Sequence, residues 1–332
     1  MLDLLASSQT WALAPAHFAA LRDLEDAYHS GAAIAEWEVQ ALLDLPDGKE
    51  RSTITRQGHL AVVPLRGLLV RHVSFLGLRL TGETTRFQQT FRAAVDHPDI
   101  EKIMIDVDSP GGATDGIEEA ADEVFAARKK KRIVAVANSL AASGACWIAS
   151  QAHEVVVMPS GHVGAIGVLG VHMDMSERAK AEGIAVTVVS AGKYKAEASE
   201  FTPMTADARA HLQHLVDDRY DAFVRAVARG RGAPQKAVRE GFGQGRLVTA
   251  ADARKLGLAD SIETIDQVVA RLSGTQPRER KPSALAEAVN TRMTLELLER
   301  QGERTAAKHA AWERERNPEL VLAQLEALEA RI

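Results

Sequence analysis

Three short stretches contain residues whose types and order could do chemistry. The first, AASGACWIAS (141–150), sets Ser143 among small residues, next to a glycine and ahead of an apolar run. A serine there lies where a helix would begin. Helix amino ends carry unpaired amides and a partial positive charge, which favour an alkoxide or oxyanion. The amide of Gly144 would be a natural donor. An ordinary N-cap serine needs the same position, so nucleophile and cap both stay open on this stretch alone. The second stretch, DSPGG (108–112), ends a predicted strand. Its glycines allow close approach, and their amides can face a carbonyl oxygen on which charge develops, although a purely structural glycine turn reads the same way. The third, AGKYKAE (191–197), offers Lys193 and Lys195 just beyond another predicted strand. A lysine can serve as the base for a serine if burial or nearby positive charge lowers its pKa from about 10.4. Two solvent-exposed lysines would look identical. His153, His162 and His172 fall in no recognisable triad order.

The elements that must position these residues alternate. HLAVVPLRGLLV reads as a strand pair or a strand with a turn, and a helix follows within 81–97 with Thr81 or Thr84 available as its cap. IEKIMIDVDSP is a strand ending in a glycine turn. A helix over 114–131 follows, acidic early and basic late, as the helix dipole prefers. RIVAVAN, EVVVMP, GAIGVLGVHMDM and AVTVVSAG read as further strands, with helices at AASGACWIAS and ERAKAEGI. Such alternation predicts an α/β fold with a parallel or mixed sheet, and chemistry then gathers at the carboxyl ends of strands. A long helix over about 206–229 carries Leu212, Val216, Tyr220, Phe223 and Val227 at helical spacing, as a core or subunit-contact element.

Four segments emerge: a helical N-terminal arm (1–56), a central domain (57–272), a polar linker with two prolines (273–283) and a charged helical tail (284–332). At 332 residues, with 46% hydrophobic and 26% charged, the chain can build a sizeable core. The net charge of −5 gives no overall attraction for nucleic acid or an anionic membrane. The basic run Arg128–Arg132 reads as a solvated helix end. Cys146 is the single cysteine, which excludes an intrachain disulfide and a thiolate zinc cluster, and it reads as a small buried thiol. The first residues make a poor signal peptide, and no run of about 18 apolar residues predicts a membrane span.

The order DSPGG, ASGACWIAS before EVVV, GAIGVLGV, AGKYKAE, FTPMTADARAHLQHLVDDRYDAF and GRLVTAADARKLGLAD resembles the signal peptide peptidase A family of serine–lysine peptidases, over roughly 58–270. The resemblance implies a Clp protease/crotonase-like spiral of ββα units. It implies Ser143 as nucleophile and Lys195 as general base, with Lys193 as the fallback. The oxyanion donors would be the amides of Gly112 and Gly144, with Gly111 as an alternative. Ala196 departs from the acidic residue that many relatives carry there.

TWALAPAHFAAL is similar to the opening of phage head-maturation proteases, the lambda-type minor capsid protein C group. That implies a homo-oligomeric ring in the bacterial host cytoplasm, inside the phage prohead. It would cleave capsid, scaffold or portal proteins and itself, with no metal, cofactor, nucleic acid or membrane span. The small-residue surroundings of Ser143 suggest shallow pockets for small side chains. The alternatives are a soluble signal-peptide-peptidase-like bacterial protease, a non-catalytic head scaffold protein and a crotonase-type acyl-CoA enzyme.

Overall fold

The computed structural model describes residues 10–13, 54–75 and 78–275. The expected charged tail (284–332), most of the linker and most of the N-terminal arm lie outside the described residues. The strands are β1 (Thr10–Leu13), β2 (Thr55–Gln57), β3 (Leu60–Leu69), β4 (His72–Phe75), β5 (Leu78–Thr81), β6 (Lys102–Ala113), β7 (Arg132–Ala142), β8 (Glu154–Val157), β9 (His162–Gly164), β10 (Leu169–Gly170), β11 (Leu247–Thr249) and β12 (Ser261–Ile262). The helices are α1 (Glu83–Asp96), α2 (Ile117–Ala127), α3 (Gly144–Ala149), α4 (Ser176–Ala181), α5 (Ala206–Arg231), α6 (Gln235–Gly241), α7 (Ala250–Leu256) and α8 (Ile265–Ser273).

At the centre, β3, β6, β7, β8 and β12 run parallel, with β6 between β3 and β7. A parallel sheet needs both faces covered, so its strands become continuous apolar runs. β6 and β7 meet that demand. Ile103, Ile105, Ile133 and Ala135 pack on one face with Phe87 and Phe91 of α1, Val124 of α2 and Trp147 of α3. Met104, Val134, Val136 and Val156 pack on the other with Val268 and Leu272 of α8. The α/β class expected from the alternating pattern is the one observed, a mixed sheet with helices on its faces. Buried Asp106 interrupts the apolar run, and it is held by Arg66 and by Asn138 Nδ2 at 3.0 Å.

Several local readings change. Thr10–Leu13, placed in a helical arm by pattern, is strand β1, antiparallel to both β6 and β10. Threonine and tryptophan suit a pleated surface, and two open strand edges supply the partners. The glycines of DSPGG lie within β6 instead of in a turn after it. A Cβ on Gly112 would sit 1.8 Å from the Leu69 carbonyl oxygen, so close strand approach demands the glycine. Helix α1 is capped by Gly82, not by Thr81 or Thr84, because the chain passes so near Val70 there that a Cβ would lie 2.1 Å from its carbonyl oxygen. Residues 185–190, the expected strand AVTVVS, join no sheet among the described residues. An extended segment becomes a strand only when a neighbour takes its backbone hydrogen bonds.

Candidate active site

β7 ends at Ala142, and α3 begins at Gly144. Ser143 makes the whole turn between them, at φ 53° and ψ −117°. Non-glycine residues avoid positive φ, and holding one there costs about 1–3 kcal/mol unless the surroundings over-determine it. Here they do. The Ser143 amide donates to the Gly164 carbonyl at 2.7 Å, and its own carbonyl accepts from Trp147 at 2.9 Å. Ser139 and Ala165, near it on β7 and beyond β9, also take positive φ, so strain is concentrated around one hydroxyl. A sharp, strained strand-to-helix turn is the device that lifts a nucleophilic serine clear of its neighbours.

Ser143 stands at the N-cap position of α3, where its carbonyl takes the Trp147 amide. Its side chain, however, makes no cap hydrogen bond to α3, so the hydroxyl is not spent on capping. Among the described residues Oγ reaches the Gly167 carbonyl, at the long distance of 3.5 Å, in a residue 1% exposed. The support beneath it is rigid. Trp147 stacks on Phe223 of α5 with ring centroids 4.6 Å apart. Buried Gln151 donates to the Ala226 carbonyl at 2.9 Å and accepts from Arg229 at 2.8 Å. Gly230 lets α5 approach so closely that a Cβ there would stand 2.1 Å from the Ser150 carbonyl oxygen.

Gly144 is buried as the first residue of α3, where its amide precedes the hydrogen-bonded turns. Gly112 lies on β6, level with Leu69 of β3 on one side and Ala12 of β1 on the other. The Gly111 amide is already engaged by Ser109 Oγ at 3.2 Å, and that hydroxyl in turn donates to the Gly67 carbonyl at 2.7 Å.

Neither lysine is brought to the serine within the chain. Lys195 is exposed, and no hydrogen bond links its amine to Ser143 among the described residues. Lys193, also exposed, lies over the Tyr194 ring at 4.7 Å. The whole segment from 181 to 195 is solvent-facing, with Ile184, Val186, Val188, Val189 and Tyr194 all exposed. These apolar side chains, next to an amine expected to need desolvation, are the signal that pattern reading passed over.

Two of the three histidines weighed above have other partners. His153 Nδ1 accepts from the Ile133 amide at 3.1 Å, and burial, aided by Arg128 and Arg132, pushes its pKa down. His172 pairs with the Ser199 carbonyl at 3.1 Å. Burial pushes the Cys146 thiol up to about 12, so it stays protonated and inert. No cluster of metal-ligating side chains occurs among the described residues, and no helix there is long and apolar enough to cross a membrane.

Residues 126–276 match the model of peptidase family S49. That span contains Ser143, Gly144 and Lys195. The chain is 26% identical over 228 residues to capsid assembly protease C of Escherichia phage lambda, covering 65% of this chain and 51% of that protein. It is 27% identical over 182 residues to the head-tail preconnector protein GP5 of Enterobacteria phage P21, covering 54% and 36%. It is 29% identical over 215 residues to protease 4 of Salmonella typhi, covering 64% and 34%. The chain thus spans about half or less of the length of these relatives. Among solved structures, a membrane-bound stomatin-specific protease in complex with a substrate peptide aligns at TM-score 0.42 and 14% identity, covering 71% of this chain and 97% of that one. An enoyl-CoA hydratase from Polaromonas aligns at TM-score 0.39 and 14% identity, covering 67% and 75%. At those scores, neither structural likeness bears on the site. The family match together with the phage and bacterial relatives shows that the chain carries a peptidase family S49 domain.

Proposed function

We propose that the protein is a serine endopeptidase in which Ser143 attacks the scissile carbonyl and Lys195 is the general base. The observation that carries this reading is Ser143 itself, a buried residue on a strained strand-to-helix turn whose hydroxyl makes no cap hydrogen bond. Neutral Lys195 would take the hydroxyl proton as Oγ bonds to the carbonyl carbon. The amides of Gly112 and Gly144 would hold the oxyanion. The lysine would then return the proton to the departing amine, leaving an acyl-enzyme for water to hydrolyse. This sequence of steps calls on no metal or cofactor.

A lysine serves as a base where burial or nearby positive charge disfavours its charged form, so in this reading the amine is covered before it acts. The apolar side chains of Ile184, Val186, Val188 and Val189 support a docking event that does this. In our reading, residues 181–201 pack against a second copy of the chain in a homo-oligomeric ring, and the dyad is completed there. By analogy with the phage relatives, the substrates would be capsid, scaffold or portal proteins, and the place of action a prohead in the bacterial cytoplasm. A non-catalytic head protein is the second reading, favoured by the exposure of Lys195.

Co-expression with the cognate capsid and scaffold proteins separates the two. The endopeptidase cleaves them, and cleavage disappears in both Ser143→Ala and Lys195→Ala. Uncleaved partners in the presence of the assembled wild-type chain would establish the non-catalytic reading.

A further inference from the structure

β7 accompanies β6 only as far as Ser109, paired with Ala141, because the chain then turns at Ser143 into α3. Beyond that point β3 still covers one edge of β6, as far as Gly112, while the other edge has lost its neighbour. β1 fills the gap. Trp11 pairs with Ala113, Ala12 with Gly112 and Leu13 with Gly111, all antiparallel. On its far edge β1 pairs with β10, Thr10 with Gly170 and Trp11 with Leu169. That register steps back toward Gly167, whose carbonyl is the partner of Ser143 Oγ. Thr10–Leu13 therefore lies as an extended peptide between two strands and runs toward the serine.

Its hydrogen bonds are those of a bound strand. The Thr114 amide donates to the Thr10 carbonyl at 3.0 Å, and Thr114 Oγ1 donates to the same oxygen at 3.1 Å. The two threonine hydroxyls meet at 2.6 Å. Amides alternate sides along a ladder, so Gly112, two residues before Thr114, also turns its amide toward β1. The amide expected to hold an oxyanion thus faces the chain's own backbone. Trp11, 2% exposed, anchors the segment.

We infer that Thr10–Leu13 is a built-in occupant of the peptide cleft. It binds by strand addition between β6 and β10, and an incoming polypeptide reaches Ser143 only after β1 leaves. The ligand this cleft takes is an extended polypeptide with a bulky apolar side chain at the position of Trp11. The consequence for turnover rests on the proposed role of Ser143, whereas the competition between strands does not.

The test uses the full chain carrying Ser143→Ala, so that binding is read without turnover. A fluorescein-labelled peptide of residues 8–15, SQTWALAP, is titrated against it and against the same chain with Trp11→Ala added, by fluorescence anisotropy. Releasing β1 should tighten peptide binding by at least about tenfold, because a tethered strand competes at high effective concentration. In a second form, a site-specific protease site inserted within 46–52 lets the chain fold intact. It is then cut, which frees β1 to exchange with the peptide, and the same tightening is expected. Unchanged affinity in the cut chain, with an unchanged melting temperature, overturns the inference. Should Trp11→Ala not fold, the cut chain decides alone. Tighter binding without any cleavage by the cut chain that retains Ser143 keeps the occupant and removes the peptidase reading. Cleavage at equal rates before and after cutting does the reverse.

Discussion

Ser143 and Lys195 lie in opposite physical surroundings. The serine turn is buried, strained and held from every side by β9, α3 and the stacked Trp147–Phe223 pair. The lysine segment is exposed from 181 to 195, makes no strand and leaves valines in water. A fold spends stability to hold one hydroxyl in a posture it would not choose, while the amine expected to activate it is left on an uncovered surface. In the proposed reading, the chain by itself prepares the nucleophile, and activation is left to whatever covers the lysine segment.

Breaking the prepared half should have the largest effect. Ser143→Ala should lower peptide turnover by about ten-thousand-fold or more, measured with a fluorogenic peptide on the assembled protein. Ser143→Gly should be equally inactive yet more stable by about 1 kcal/mol in urea unfolding, since glycine accepts positive φ without strain. A loss of stability would mean the turn is not strained.

Lys195→Ala comes next. It should cut turnover by roughly a hundred- to ten-thousand-fold, the range for losing a general base. The chain's melting temperature should not move, because an exposed side chain supports little packing. Lys193→Ala should cost little activity. If the two lysines exchange these outcomes, the base is Lys193.

Stability separates the same halves. Trp147→Ala should cost about 4 kcal/mol, as removal of a fully buried aromatic does, whereas Val189→Ser should stay within about 0.5 kcal/mol. Val189→Ser should nevertheless shift light-scattering mass toward the monomer. Equal effects on stability would contradict the division into a packed half and an uncovered half.

The smallest effect concerns pH. Burial works against the charged form of Asp260, but the Arg231 guanidinium and the Val155 amide outweigh it and hold its carboxyl below the usual range. A depressed carboxylate pKa adds stability that is present above its unfolded value of about 3.9 and is lost as pH falls through the folded value. Asp260→Asn should therefore flatten the decline of the melting temperature below about pH 4. An identical decline in both proteins would remove Asp260 from acid sensitivity.

Much of the scaffold was legible because its signals are local. The apolar runs of β6 and β7, the helix that became α1 and the long helix at α5 follow from periodicity and charge. Thr205 caps α5 and Gly232 closes it as such residues should. Ser143 was legible as a residue, from small neighbours and a glycine, but its strain is not a property of composition. Four residues such as Thr10–Leu13 have no period to read, and their strand exists because β7 leaves an edge open far along the chain. The AVTVVS stretch failed in the opposite sense. It has every local mark of a strand, but no neighbour among the described residues. DSPGG reads as a turn from its residues, and only the nearness of β3 explains glycine inside a strand.

The central claim, that Ser143 becomes a nucleophile through Lys195, is tested most directly by covalent labelling. The assembled protein is treated with a fluorophosphonate, and adduct formation is followed by intact mass and peptide mapping in wild type, Ser143→Ala and Lys195→Ala. The account predicts a single adduct on Ser143, absent in Ser143→Ala and formed at least about a hundredfold more slowly in Lys195→Ala. An adduct on another residue, or labelling of Ser143 at the wild-type rate without Lys195, would contradict it.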